Sequence, residues 1–192
     1  MRKIILASGS KARQKLLKQM GLKFTVSRSS VIECHALRGS ASRLVMKNAM
    51  DKARDVAKRC RSGIVIGADT LVLVGNKVIG KPRNLKDAHR TLKLLSRKPP
   101  LVYSGLALID IDSNKRYLDY EKTKVYMYKL SDGDIRNYFK KTSPLDKAGS
   151  FDIQGMGGIF IDRIEGCFYN VVGLPLAKLA VMLRRAGVDL FE

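Results

Sequence analysis

The sequence predicts an α/β fold in a single domain spanning residues 1–192, and three observations carry that reading. Short apolar strand-like runs alternate with amphipathic helical stretches along the chain. The first such unit, Ile4-Ile5-Leu6-Ala7-Ser8-Gly9-Ser10-Lys11-Ala12-Arg13, is a strand that breaks into small hydroxylated residues and then opens a helix. Finally, 192 residues bury a substantial core without disulfides or metal staples.

In that first unit Gly9 permits a tight turn, Ser10 is placed to cap the helix, and Leu16, Leu17 and Met20 form its apolar face. Backbone N–H groups of the first helical turn, with Ser8 beside them and Arg13 one turn in, suit a phosphate. The same strand, turn and capped helix also occurs in α/β domains that bind nothing, so a purely structural turn is the alternative. Gly21 is a natural helix stop, and Leu22, Phe24 and Val26 alternate with polar residues as in a half-buried strand. Glu33 lies in a polar loop over Val31 to Gly39. The Cys34-His35 pair there has no further ligands nearby and reads as loop chemistry. Val45, Ala49, Ala53, Val56 and Cys60 recur at helical spacing between Ser40 and Cys60, with Lys52 beside that stripe.

Ile64 to Val74 is strand-like but is interrupted by Gly67-Ala68-Asp69-Thr70. A carboxylate among strand-forming apolar residues is costly unless it is paired, hydrogen-bonded or bound to a cation; a turn aspartate bonded to local backbone is the alternative. Gly75-Asn76 reads as a hairpin turn, Val78-Ile79 as the return strand and Gly80-Lys81-Pro82 as its exit, which would carry Lys81 back towards Asp69. Asn84 caps a helix whose buried face is Leu85, Ala88, Leu92 and Leu95, ended by Pro99-Pro100. Leu101–Asp112 and Arg116–Leu130 are long strands whose tyrosines, Tyr117, Tyr120, Tyr126 and Tyr128, are expected to pack on the sheet. Ser131 and Asp134 open a short helix bearing Ile135, Tyr138 and Phe139. The stretch from Pro144 to Gly158 has four glycines in its last ten residues, which implies close backbone approach, and Gln154 there offers both a donor and an acceptor to a base edge. A plain connection is the alternative. Ile159–Ile164 reads as a strand, and Gly173-Leu174-Pro175 starts a last helix that stops at Gly187.

Composition narrows the class. The three cysteines are odd in number and widely spaced, so neither a disulfide framework nor a zinc site is indicated, and a reducing cytoplasm fits. No apolar run approaches a membrane span or a signal peptide. The 37 Lys and Arg against 17 Asp and Glu give a net charge of +20, which attracts nucleotides and polyanions alike. On charge alone, a basic nucleic-acid-binding or cell-division regulatory protein without turnover is a competing reading. The basic residues are scattered with no aromatic-interleaved patch, so no specific nucleic-acid partner is expected. No complete G-x-x-x-x-G-K-[ST] or G-x-G-x-x-G loop is present.

LASGSKAR at Leu6–Arg13, GADT at Gly67–Thr70, GKP at Gly80–Pro82, DKAGSFDIQG at Asp146–Gly155 and VVGLP at Val171–Pro175 occur in this order. The chain thereby resembles, end to end, the Maf family of nucleoside triphosphate pyrophosphatases. That resemblance implies a Maf/inosine triphosphatase-like fold with a long mixed sheet flanked by helices and a deep nucleotide cleft. It also implies a cytoplasmic homodimer, a divalent cation (magnesium or manganese), and cleavage of a nucleoside triphosphate between its α and β phosphates. Carried over by motif, Asp69 is the family's proton acceptor, Thr70 and Gln154 are positions tied to base choice, and Ser8, Ser10, Arg13, Lys52 and Lys81 are polar substrate-binding positions. Glu33 with Asp69 would hold the cation; whether Asp69 acts as base or as metal ligand stays open. Thr70 with Gln154 resembles the dTTP- and UTP-preferring branch rather than the 7-methyl-GTP branch. Lys11-Ala12-Arg13 departs from the family's usual Pro-Arg-Arg, and Ala12 replaces an arginine tied to specificity.

Overall fold

The computed structural model describes residues 2–34, 36–37 and 39–191. Their strands and helices are β1 (Ile4–Leu6), α1 (Lys11–Gln19), β2 (Phe24–Val26), α2 (Ala41–Ala57), β3 (Ile64–Val74), β4 (Lys77–Ile79), α3 (Leu85–Leu95), β5 (Leu101–Asp110), β6 (Lys115–Met127), α4 (Asp132–Lys141), β7 (Ile161–Glu165), α5 (Phe168–Val172) and α6 (Leu176–Arg185). Strand order is β2-β1-β3-β5-β6-β7, with β4 paired to β3. β1 runs parallel to β2 and β3, whereas β3 with β4 and β6 with β7 are antiparallel, so the α/β expectation with a mixed sheet holds.

Two compact units divide the chain. The first comprises Met1–Thr70, Tyr103–Glu121 and Gly173–Glu192. Its core joins Ile5 and Ala7 of the β1 segment, Val65 of β3 and Ala107 and Ile109 of β5 to Ala49, Ala53 and Val56 of α2. The helical spacing of α2 presents these small residues on one face, and two strand glycines let its backbone come unusually close. A Cβ at Gly67 would lie 2.1 Å from the Ala49 carbonyl oxygen, and one at Gly105 would lie 2.3 Å from that of Val45. α1 starts as expected, with the Ser10 hydroxyl accepting from the Arg13 N–H, and Gly21 follows its end with φ 72°.

The second unit, Leu71–Val102 with Lys122–Val172, has its own core of Val72, Ile79, Leu92, Leu95, Val125, Ile135, Tyr138 and Phe160 among others. The Gly75-Asn76 turn closes the β3–β4 hairpin, with Val74 opposite Lys77. Asn84 caps α3, and Ser131 with Asp134 forms a complete capping box on α4. The glycine-rich stretch folds as two 3-10 turns, Ala148–Ser150 and Met156–Phe160, with left-handed backbone at Gly149 and Ser150.

Several expectations need correction. Val26 and Leu85 are 42% and 54% exposed rather than on buried faces, because β2 is an edge strand and Leu85 sits at the first position of α3. Met20 and Phe139 are only half-buried. The final strand begins at Ile161, since the residues before it close a 3-10 turn, and the short helix α5 has no counterpart in the sequence reading. Tyr120 stacks on Tyr103 and Tyr126 lies under the Arg163 guanidinium, as sheet packing requires, but Tyr128 is 57% exposed.

Replacing Gly67 or Gly105 by Ala should drive α2 off the sheet. The expected loss is about 1–3 kcal/mol, the usual cost of overpacking, measured by urea unfolding. A second prediction concerns Asp110, buried at the end of β5, where the Arg2 guanidinium and the Ser113 hydroxyl both donate to it. The Arg2 hydrogen bond, opposed by desolvation and assisted by Ser113, lowers its pKa from 3.8 to about 2. A depressed folded-state pKa stabilises the fold in full above the unfolded value and loses that contribution as pH falls from about 4 to about 2. Asp110→Asn should therefore cost about 2 kcal/mol at pH 6, the stability equivalent of the shift. That difference should shrink steadily as unfolding is measured at lower pH.

Candidate active site

β3 organises the site because alternate residues of a strand point to opposite faces. Gly67 and Asp69 face α2, while Thr70 faces the side occupied by Arg13 and the Gly173 turn. Glycine at 67 admits the helix backbone at Ala49 and Ala53, and two residues further along the strand Asp69 meets Asn48 and Lys52 of the same turns.

On the α2 side Asp69 is 4% exposed, yet both of its oxygens are engaged. Lys52 Nζ donates to Oδ1 at 2.7 Å and Asn48 Nδ2 donates to Oδ2 at 2.9 Å. The same ammonium lies 2.7 Å from Glu33 Oε1 and 3.3 Å from the Ala68 carbonyl oxygen. Lys52 is thus buried between two carboxylates instead of lying in solvent beside the apolar stripe. Asn48 also grips the Glu33 loop: its Nδ2 donates to the Cys34 carbonyl at 2.9 Å, and its Oδ1 accepts from the Cys34 N–H at 3.3 Å. Of the Cys34-His35 pair, His35 lies outside the described residues.

On the opposite side the buried Arg13 guanidinium makes four hydrogen bonds. Nε donates to the Gly173 carbonyl at 2.9 Å, Nη1 to the Ser8 hydroxyl at 3.2 Å and the Ala68 carbonyl at 3.0 Å, and Nη2 to Thr70 Oγ1 at 3.0 Å. Burial pushes its pKa down, and the negative charges of Asp69 and Glu33 oppose that shift. Thr70 Oγ1 is also 2.8 Å from the hydroxyl of the fully buried Ser104. The Ala68 carbonyl accepts from both Arg13 and Lys52, which joins the two clusters. Ser10 caps Arg13 N–H while its own N–H donates to Ser8 Oγ. Ala12 is half-buried on the first turn of α1.

The structure therefore brings Ser8, Ser10, Arg13, Glu33, Lys52, Asp69 and Thr70 together within the first unit. Lys81 and Gln154 belong to the second unit, and both are exposed there. The Asp146 carboxyl is held below its usual range first by the Lys147 ammonium at 2.7 Å, with a smaller contribution from the charge of Lys81. The Gln154 N–H donates to Asp152 Oδ1, which folds the glycine-rich stretch back on itself.

Asn48 and Ser104 are the residues that sequence reasoning missed. Asn48 precedes Lys52 by four residues and so shares its helix face, a spacing that was available as a signal. Ser104 carries no comparable mark. Among the described residues no group of three or more His, Cys, Asp or Glu side chains is arranged to hold a metal, and no helix is long and apolar enough to cross a membrane.

A family model described as Maf-like protein matches residues 3–186. The dTTP/UTP pyrophosphatase of Methanosarcina barkeri is 46% identical over 193 residues, covering 100% of this chain and 98% of that protein. The dTTP/UTP pyrophosphatase of Caldicellulosiruptor saccharolyticus is 40% identical over 196 residues, covering 100% and 98%. A solved structure of the Staphylococcus aureus Ham1 protein aligns with 67% of this chain and 73% of its own, with a TM-score of 0.48 and 15% identity. A model match over residues 3–186, nearly the whole length, means that this protein belongs to the Maf family.

Proposed function

We propose that this protein is a nucleoside triphosphate pyrophosphatase that hydrolyses dTTP and UTP to the monophosphate and pyrophosphate. The observation that carries the reading is Asp69, a buried carboxylate held by Lys52 and Asn48, in a chain 40–46% identical to proteins named dTTP/UTP pyrophosphatase. Water attacks the α-phosphorus and loses a proton, and the α–β bridging bond breaks with its electron pair going to pyrophosphate. Asp69 supplies the base for that proton or a ligand for a divalent cation. Magnesium or manganese fits the donor set, because Glu33 and Asp69 turn oxygens towards one point, each 2.7 Å from the same ammonium. Magnesium is commonly held by one or two carboxylates completed by water and substrate phosphate, so two protein ligands suffice. When bound it supplies charge neutralisation at the phosphates and a more acidic water.

Ser8, Ser10, Arg13, Lys52 and Lys81 bind the phosphates in this reading, and Thr70 and Gln154 set base choice. The Thr70 hydroxyl is bonded to Arg13 and Ser104, which supports an influence exerted through the guanidinium. A cytoplasmic homodimer is part of the same proposal.

The test is product analysis with UTP, dTTP and magnesium. Equal yields of monophosphate and pyrophosphate are expected, and free phosphate as first product, or no turnover by folded protein, would refute the reading. Asp69→Asn should lower turnover by ~100-fold or more, the scale of a lost general base. Ala12 leaves unmade a contact that the family's arginine makes, so pyrimidine preference should be weaker than in arginine-bearing relatives. Ala12→Arg should raise kcat/KM for UTP and dTTP over purine triphosphates by about tenfold to a hundredfold, the worth of one charge-assisted hydrogen bond acting on one substrate. An unchanged ratio across the nucleotide panel would place specificity elsewhere.

A further inference from the structure

Lys52 stands where a bridging cation would stand. Its side chain is 8% exposed, and its ammonium is shared between Glu33 and Asp69 at 2.7 Å each, with the Ala68 carbonyl at 3.3 Å. These contacts use its three donors. The two carboxylates do not depend on Lys52 alone for their placement. Asn48 donates to Asp69 Oδ2, and through both main-chain groups of Cys34 it holds the segment that carries Glu33. If the ammonium withdrew along its flexible stem, Asn48 would still hold Asp69 beside the segment that carries Glu33.

Charge gives that position a consequence. Glu33 and Asp69 are balanced by Lys52 and the buried Arg13, whose guanidinium feels both carboxylates and shares the Ala68 carbonyl with Lys52. A divalent cation added to this balanced group leaves excess positive charge beside the buried Lys52, Asp69 and Arg13, which is costly even though the Glu33 side chain is 41% exposed. A triphosphate reverses the sign of that imbalance, because its oxygens give the ammonium a new partner.

We propose that Lys52 is the resident cation of the nucleotide-free site and competes with divalent metal for Glu33 and Asp69. The free protein then holds metal weakly, and occupancy rises when a triphosphate draws the ammonium away. The nucleotide half of this statement rests on the function proposed above; the competition between lysine and metal does not.

Manganese binding to nucleotide-free protein, followed by electron paramagnetic resonance of the unbound ion, tests the competition without any turnover. Lys52→Met should bind manganese at least about tenfold more tightly than the parent, the scale expected when a close, buried like charge is removed. Lys47→Met, which removes an exposed lysine from the same helix, should stay within about twofold and so control for the general basic field. Manganese should also raise the unfolding temperature of Lys52→Met more than that of the parent. Lys52→Gln serves as the second variant, since it keeps a neutral donor beside Asp69. If either variant folds only with manganese present, that rescue supports the proposal. Equal manganese affinity in the parent and the folded variants, or unfolded variants that manganese does not rescue, would overturn it. A non-hydrolysable α,β-methylene analogue of dTTP should then tighten manganese binding in the parent much more than in Lys52→Met. No effect of the analogue on either protein, with the lysine effect intact, would instead count against the nucleotide reading.

Discussion

Everything about the site depends on how closely one helix backbone approaches the strands beneath it. The carbonyls of Val45 and Ala49 sit close to where the Cβ atoms of Gly105 and Gly67 would otherwise be, and the same turns of the helix carry Asn48 and Lys52 to Asp69. Lysine reaches further than asparagine, but the 2.9 Å bond from the shorter Asn48 side chain needs the helix this near and in this register. Burial of Val45, Ala49, Ala53 and Val56 supplies the driving force, and the absence of side chains at two strand positions supplies the room.

The buried Arg13, Lys52 and Asp69, with the exposed Glu33, form a group of two positive and two negative charges, while the excess of +20 lies in the many other basic residues. The two populations act at different ranges. The outer charge raises the encounter rate with any anion and weakens with salt, whereas the buried members of the inner group are poorly screened. Arg13 belongs to the inner group: with four protein acceptors on its guanidinium, it ties the turn after β1, strand β3 and the Gly173 turn to α1.

Helices and hairpins with local signals were legible because their causes lie within a few residues: Ser10, Asn84 and Ser131 as caps, Gly75-Asn76 as a turn, the stripe on α2. Asp69 was legible as an acid that must be compensated, since a carboxylate in an apolar strand is conspicuous in any sequence. Its compensators were not. Lys52 lies 17 residues away and Asn48 21, and one lysine among many looks the same whether it ends in water or under a sheet. The role of Arg13 was half legible: its position on the first turn of α1 pointed to an anion, but its bond to the Gly173 carbonyl spans 160 residues and no local pattern encodes it. Val26 and Leu85 misled because apolar residues at an edge strand or at a helix start satisfy the same periodicity as buried ones.

The sheet's border strands are β2 and β4, three residues each, and β7, five residues long. β2 is preceded by Lys23 and followed by Arg28, and β7 carries Asp162, Arg163 and Glu165. Short, charged borders offer a foreign strand few hydrogen bonds and an electrostatic penalty, which discourages edge-to-edge aggregation. The long, apolar β3 and β5 each have neighbours on both sides in the strand order, so the segments best suited to seed a fibril lie in the interior of the sheet.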